Sequence, residues 1–196
     1  LEMARNELIA KSISRLTYKA HIAQGLPRGA AKTTRGITTG KRYAQYNDKE
    51  MQLIDSATQE YAAIGRHIWI KEGIGDMGAE QVREAVKRHI SLTGCRPVIM
   101  IDYLQILSPY EIRATDKQNT DKAVLELKRI SRDYKIPVIG ISSFNRDNYL
   151  APVNMAAFKE SGAIEYSSDV LMGLQYQGMD YQEGEADKAR EKRIRD

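Results

Sequence analysis

The stretch with the clearest chemical potential is Pro97-Val98-Ile99-Met100-Ile101-Asp102-Tyr103-Leu104-Gln105. A run of apolar, mostly β-branched residues ends in one acid. It is too short for a surface helix and predicts a strand buried on both faces of a parallel sheet. A carboxylate at the C-terminal end of such a strand lies where open α/β sheets bind ligands. It is placed to hold the Mg²⁺ that bridges nucleotide phosphates. An aspartate that merely caps or turns the chain at the end of a buried strand fits the same residues, and both readings stay open. A second apolar run, Ile136 to Ser143, ends in the hydroxyls of Ser142 and Ser143, followed by Phe144, Asn145 and Arg146. Asn145 and Arg146 suit a phosphate site or a solvated strand end equally. A third strand is expected over Asp169 to Leu174. Three strand ends on one sheet edge suit a nucleotide-phosphate site.

The elements that must position these groups follow from the rest of the chain. Its 196 residues suffice for one good-sized α/β domain, and 42% hydrophobic content is ordinary for a globular protein. No apolar run approaches a membrane span, and no signal peptide opens the chain. Cys95 is the only cysteine, so no internal disulfide forms and a reducing cytoplasm is the expected setting. His21, His67 and His89 lie far apart without cysteine partners, which argues against zinc. A net charge of +4 and a pI near 9.0 are compatible with a nucleic-acid partner.

Apolar spacing predicts an amphipathic helix from Leu1 to about Ala20, with Arg5, Lys11, Arg15 and Lys19 around it. Gly25 to Lys41 reads as a solvated basic loop. Within it, Gly36 to Lys41 imitates a phosphate-binding P-loop, but only three residues separate its glycines and Arg42 stands where a hydroxyl is needed. Asn47 or Asp48 caps a helix that stops at Gly65. His67 to Lys71 is expected as a strand, with Trp69 in the core. A helix over Ala79 to Leu92 ends at Gly94, and the three elements from His67 to Asp102 suggest a βαβ crossover. Ser108 to Thr120 reads as a polar loop and Asp121 to Lys135 as a helix. Residues 1–177 are expected to form one domain. Residues 178–196 form a densely charged tail, helical or disordered.

The order of motifs resembles the C-terminal ATPase domain of replicative DNA helicases of the DnaB type. The match runs through Leu1-Glu2-Met3, Ile101 to Gln105, Pro137 to Arg146, and Glu160 to Glu165 with Asp169-Val170. The resemblance implies an α/β, RecA-like three-layer fold with a mostly parallel central sheet flanked by helices. It implies an ATP- and Mg²⁺-dependent hexameric motor on single-stranded DNA, with primase and a helicase loader as further partners. Carried over by position, Glu2 is the catalytic glutamate that polarises the attacking water. Asp102 is the acid on Mg²⁺, and Ser143 stands near the γ-phosphate. Lys159, Glu160 and Gly162 belong to the loop that follows the DNA backbone. Taken alone, Glu2 is also a plain helix-start acid, and Lys159 an ordinary surface lysine.

Four departures from that family matter. Its P-loop lies upstream of the Leu-Glu-Met motif and is not within this chain. Its downstream basic finger is not matched by Lys192 to Arg195. Ser143 stands where the family carries a glutamine and Lys159 where it more often carries arginine, which loses reach in the first case and a bidentate fork in the second. A water can bridge the distance that the serine hydroxyl does not cover. The chain is therefore expected to be a fragment, inactive alone. The alternatives are a non-catalytic DNA-binding or helicase-interacting module of the same fold, and a recombinase-like regulatory ATPase.

Overall fold

The computed structural model describes residues 4–40, 42–73, 77–144, 153, 162–175, 186, 188–189 and 192–193. The chain divides into two compact units, residues 1–72 and 73–196.

The first unit is helical. Its long helices are α1 (Arg5–Ala23) and α3 (Asp48–Gly65), with the short α2 (Thr34–Thr38) between them. Ala10, Ile13 and Leu16 of α1 and Leu53, Ile54 and Ala57 of α3 are buried, at the helical spacing that the sequence shows. The connecting segment is not the solvated loop its composition suggests. Lys32 is only 7% exposed. Its backbone N–H donates to Thr17 Oγ1 at 3.0 Å, and its carbonyl accepts from Ser14 Oγ at 2.6 Å. Its ammonium donates to Gly29 O at 2.9 Å and to the Glu50 carboxylate, and lies 4.5 Å from the Tyr46 ring centroid. Glu50 in turn completes the cap of α3: Asn47 Oδ1 accepts from Glu50 N at 3.0 Å, and Asn47 N donates to Glu50 Oε2 at 2.9 Å. The P-loop imitation is resolved as well. Gly36 is buried inside α2, and its N–H is taken by Thr33 Oγ1 at 3.1 Å.

The second unit carries the sheet. Its elements are α4 (Ala79–Thr93), β1 (Ile99–Ile101), α5 (Asp116–Tyr134), β2 (Val138–Gly140) and α6 (Gly162–Ser167). β1 and β2 are parallel, with Ile99 opposite Val138 and Ile101 opposite Gly140. A parallel pair requires a crossover, and α5 provides it. The core gathers Val82 and Val86 of α4, Ile101, Leu104, Val124, Leu127 and Ile130 of α5, Ile136 and Ile164. Gly94 closes α4 at φ +71°, a conformation that favours glycine. Arg83 fastens α4 to α5: its Nε lies 2.6 Å from Glu126 and its Nη1 2.9 Å from Asp133, with Tyr134 5.8 Å below. The hydrogen bond to Asp133, and then the one to Glu126, hold the guanidinium's pKa above its ordinary value.

Several expectations are corrected. Helix α5 begins five residues earlier than its apolar pattern suggests, because Thr115 and Gln118 form a capping box. Residues 67–71 and 169–174 are not strands. Ile68, Trp69, Val170, Met172 and Leu174 are exposed, so Trp69 is not core. Strand-like alternation in these segments finds no ladder partner among the described residues, and a strand needs one for its backbone groups. The crossover is therefore β1–α5–β2. β1 is not buried on both faces, since Met100 is 69% exposed and Ile101 only 8%.

Ile130 has no exposed surface, whereas Ile112 is 94% exposed. Ile130→Ala is expected to cost about 2–5 kcal/mol in chemical unfolding, and Ile112→Ala less than about 0.5 kcal/mol. The Lys32 hydrogen bond, with the Asn47 N–H, holds the Glu50 carboxyl below its ordinary pKa. A lowered folded-state pKa gives stability that is present above the unfolded value and lost as pH falls through the folded one. Thermal unfolding of the wild-type chain should thus lose a component below about pH 4.3. Glu50→Gln should lower the midpoint at pH 7 and shrink that acid-dependent component.

Candidate functional site

The parallel register brings the ends of β1 and β2 to one edge. Asp102 follows Ile101 directly and is exposed there. Ile141 N donates to Ile101 O at 2.9 Å, and Leu104 N donates to Ile141 O at 2.8 Å. These bonds continue the pairing past the strands and hold the two polar ends side by side. The Asp102–Tyr103 peptide bond is cis. Beyond it, a 3-10 turn at Leu104–Ile106 packs Leu104 against β2. Gly140 makes that approach possible, because a Cβ there would sit 3.0 Å from Leu104 Cδ2.

The same turn aims Gln105 back at the second strand end. Gln105 Nε2 donates to Ser142 Oγ at 2.8 Å, and Ser142 Oγ donates to the Ser143 carbonyl at 3.3 Å. Asp102, Gln105, Ser142 and Ser143 therefore share one solvent-facing edge. The segment that follows is anchored to the start of α4. Ser108 N donates to Met77 O at 2.9 Å, and Tyr110 Oη donates to Glu80 Oε1 at 3.0 Å. Partial burial, then the Glu80 bond, raises the Tyr110 pKa.

An exposed carboxylate on the same strand-end edge as hydroxyl and amide oxygens supplies hard donors. Mg²⁺ is commonly held by one or two carboxylates plus the phosphates it accompanies, so the residues present fit an Mg²⁺–nucleotide. Among the described residues, no three or more His, Cys, Asp or Glu converge on a metal position.

Of the expected site residues, Asp102 and Ser143 lie together at this edge. Gly162 opens α6, which packs on α5. Glu2, Lys159 and Glu160 lie outside the described residues, as do Asn145 and Arg146. The sequence places Ser142 with Ser143 at a strand end suited to a phosphate site, but gives Gln105 no role. The available signal was an amide three residues beyond the acid, next to a strand ending in two serines. No helix among the described residues is long and apolar enough to cross a membrane.

Comparison with known proteins adds a family. The model for the DnaB-like helicase C terminal domain matches residues 1–195. A replicative DNA helicase DnaB of Leifsonia xyli subsp. xyli is 26% identical over 196 residues, covering 95% of this chain and 38% of that protein. A replicative DNA helicase DnaB of Helicobacter pylori is 29% identical over 107 residues, covering 53% of this chain and 22% of that one. Two solved structures share the fold at 20% identity and 86% coverage of this chain. They are the ATPase domain of G40P, with TM-score 0.69 and 54% of that chain covered, and a DnaB-like replicative helicase described with its primase interactions, with TM-score 0.67 and 38% covered. The fold is thus that of RecA-like helicase ATPase domains. The chain spans 22% to 38% of the length of these two curated relatives.

The Gln105–Ser142 bond is exposed, so Gln105→Ala should change unfolding free energy by less than about 1 kcal/mol. It should instead raise amide hydrogen exchange at Ser142 and Ser143, read by mass spectrometry. Unchanged exchange would mean that the bond does not hold the second strand end.

Proposed function

This chain belongs to the DnaB-like helicase C-terminal domain family, and we propose that it is the ATPase part of a replicative DNA helicase, which couples ATP hydrolysis to travel on single-stranded DNA and to duplex separation. The observation that carries this reading is the family match over residues 1–195 together with Asp102 and Ser143 on one strand-end edge. In this reading residues 1–177 form one partial RecA-like domain and residues 178–196 a charged extension.

Bound Mg²⁺ would neutralise charge on the phosphates and hold them in line for attack. Asp102 would hold that ion through its exposed carboxylate. Gln105 and Ser142 would keep the second strand end beside it, so that the Ser143 hydroxyl meets the terminal phosphate through a water. Glu2 would orient the attacking water. Lys159, Glu160 and Gly162 would follow the DNA backbone, a contact that reads charge and not sequence. A homohexamer supplies the neighbouring subunits that such a motor requires, and single-stranded DNA is its track. Primase is the expected partner, by likeness to the helicase described with it, and a helicase loader the next. A reducing compartment such as the cytoplasm suits this reading, because there a thiol such as exposed Cys95 stays reduced.

Ser143 in place of glutamine favours a second reading, a DNA-binding module of the same fold that has lost hydrolysis. A strand-displacement assay on forked DNA, run with the full-length protein, separates the two. ATP-dependent displacement is expected, and Asp102→Asn should lower ATP turnover about a hundredfold, roughly 2.7 kcal/mol of transition-state stabilisation. DNA binding with no dependence on ATP would establish the second reading. ATP turnover without displacement would point to a recombinase-like regulatory ATPase.

A further inference from the structure

Residues 1–46 contain nine Lys or Arg and two acids. One of the nine, Lys32, is buried and answered by Glu50, so it adds nothing to the surface. Four others lie on α1, and three of these, Lys11, Arg15 and Lys19, are exposed and four residues apart. Four residues advance a helix by about 6 Å and by slightly more than one turn, so the three form one ridge. The buried residues of α1, Ala10, Ile13, Leu16 and Thr17, lie on the other side. Tyr18, 53% exposed, and Ile22, 60% exposed, stand on the same solvent side as the ridge. The Tyr18 ring lies 6.0 Å from that of His21, centroid to centroid, and is tilted from it by 46°.

The charge of this face is left unbalanced. On α5, Lys122, Lys128, Arg129 and Arg132 each face a carboxylate. Among the described residues Arg15 and Lys19 are in no ion pair, and the one acid of α1, Glu7, stands a turn before Lys11. Like charges four residues apart on a helix repel each other, and a polyanion laid along them relieves that cost. The aromatic ring among the cations narrows the kind of polyanion. Acidic side chains use the cations alone. A single nucleic-acid strand uses both, with phosphates on the cations and a base stacked on the ring. The rise between neighbouring cations is also close to the step between phosphates of an extended strand. The helix is held in place beforehand, because Ser14 Oγ and Thr17 Oγ1 bind the backbone of Lys32. A surface ordered in advance loses less freedom when it binds.

We propose that the solvent face of α1 binds single-stranded nucleic acid, with Lys11, Arg15 and Lys19 on the phosphates and the Tyr18 ring against a base. Such a contact reads charge and stacking and carries no sequence preference. The inference goes beyond the motor reading and does not rest on it, since neither ATP nor the Asp102 edge takes part.

The test uses the full-length protein, fluorescently labelled oligo-dT and no nucleotide, with binding followed by anisotropy from about 50 to 200 mM salt. Each phosphate contact on a single strand contributes about 0.7 to the slope of log K against log salt, so Arg15→Gln combined with Lys19→Gln should lower that slope by about 1.4. Tyr18→Ala should weaken binding by about fivefold or more, and Tyr18→Phe, which keeps the ring, should bind as the wild type does. Lys122→Gln removes one cation from α5 and should change neither quantity. Every substituted side chain is exposed and glutamine favours helices, so the variants should keep the wild-type circular dichroism. An unchanged salt slope in the double variant overturns the proposal, as does a Tyr18→Ala protein that binds like the wild type. So does poly-glutamate that displaces the labelled strand as well as unlabelled oligo-dT does, charge for charge, because the face would then take acidic polypeptides. None of these failures touches the motor reading, which stands or falls on ATP-dependent strand displacement.

Discussion

The parallel pairing of β1 with β2 is the constraint on which the second unit depends. Two strands that run the same way cannot be joined by a tight turn, so a long connection must return the chain to the starting side. That connection is α5. Its inner face, through Val124, Leu127 and Ile130, supplies much of the core. Because both strands point the same way, both of their polar ends emerge on one side. Asp102 and Ser143 therefore stand at the same edge of the sheet although 41 positions separate their numbers in the chain. Gly140 has no side chain for a related reason: the turn after Asp102 folds back so closely that Leu104 fills the space. Gln105 reaches Ser142 only because of that close fold.

The first unit solves a different problem, how to seat a cation away from water. An unpaired buried ammonium is costly. Lys32 has a carbonyl, a carboxylate and an aromatic ring around its Nζ, while its own backbone joins Ser14 and Thr17. Glu50 serves two structures at once, since one oxygen meets Lys32 and the other closes the cap of α3. The charge is thus used to register a loop against two helices. Replacing such a pair by apolar groups can leave stability unchanged, but removing one partner does not.

Helices with strong punctuation were legible in the sequence almost to the residue. Asn47 and Gly94 mark ends of α3 and α4 where turn chemistry demands them. The edge that holds Asp102 and Ser143 was legible from two β-branched runs, and the RecA-like fold from the order of motifs. Other features depended on partners that a linear reading does not contain. Residues 67–71 and 169–174 have strand composition, but a strand exists only with a ladder. Lys32 sits in a run of basic residues, and nothing in its type separates it from its solvated neighbours. The early start of α5 did leave a mark, Thr115 followed by Gln118, which polar composition around it obscured.

The exposed side of the sheet has a consequence for handling the isolated chain. Among the described residues the sheet has two strands, and Val98, Met100, Ile139 and Ile141 present apolar surface to water beside it. Short sheets with open rows of backbone N–H and C=O are templates for adding another strand, and apolar side chains on that surface favour the encounter. The second unit taken by itself should thus be limited by colloidal behaviour before it is limited by unfolding. Its solubility would fall with concentration and with added sulfate, which strengthens apolar association. A short strand carrying charged residues, added to cover that surface, would raise the ceiling without touching the polar edge.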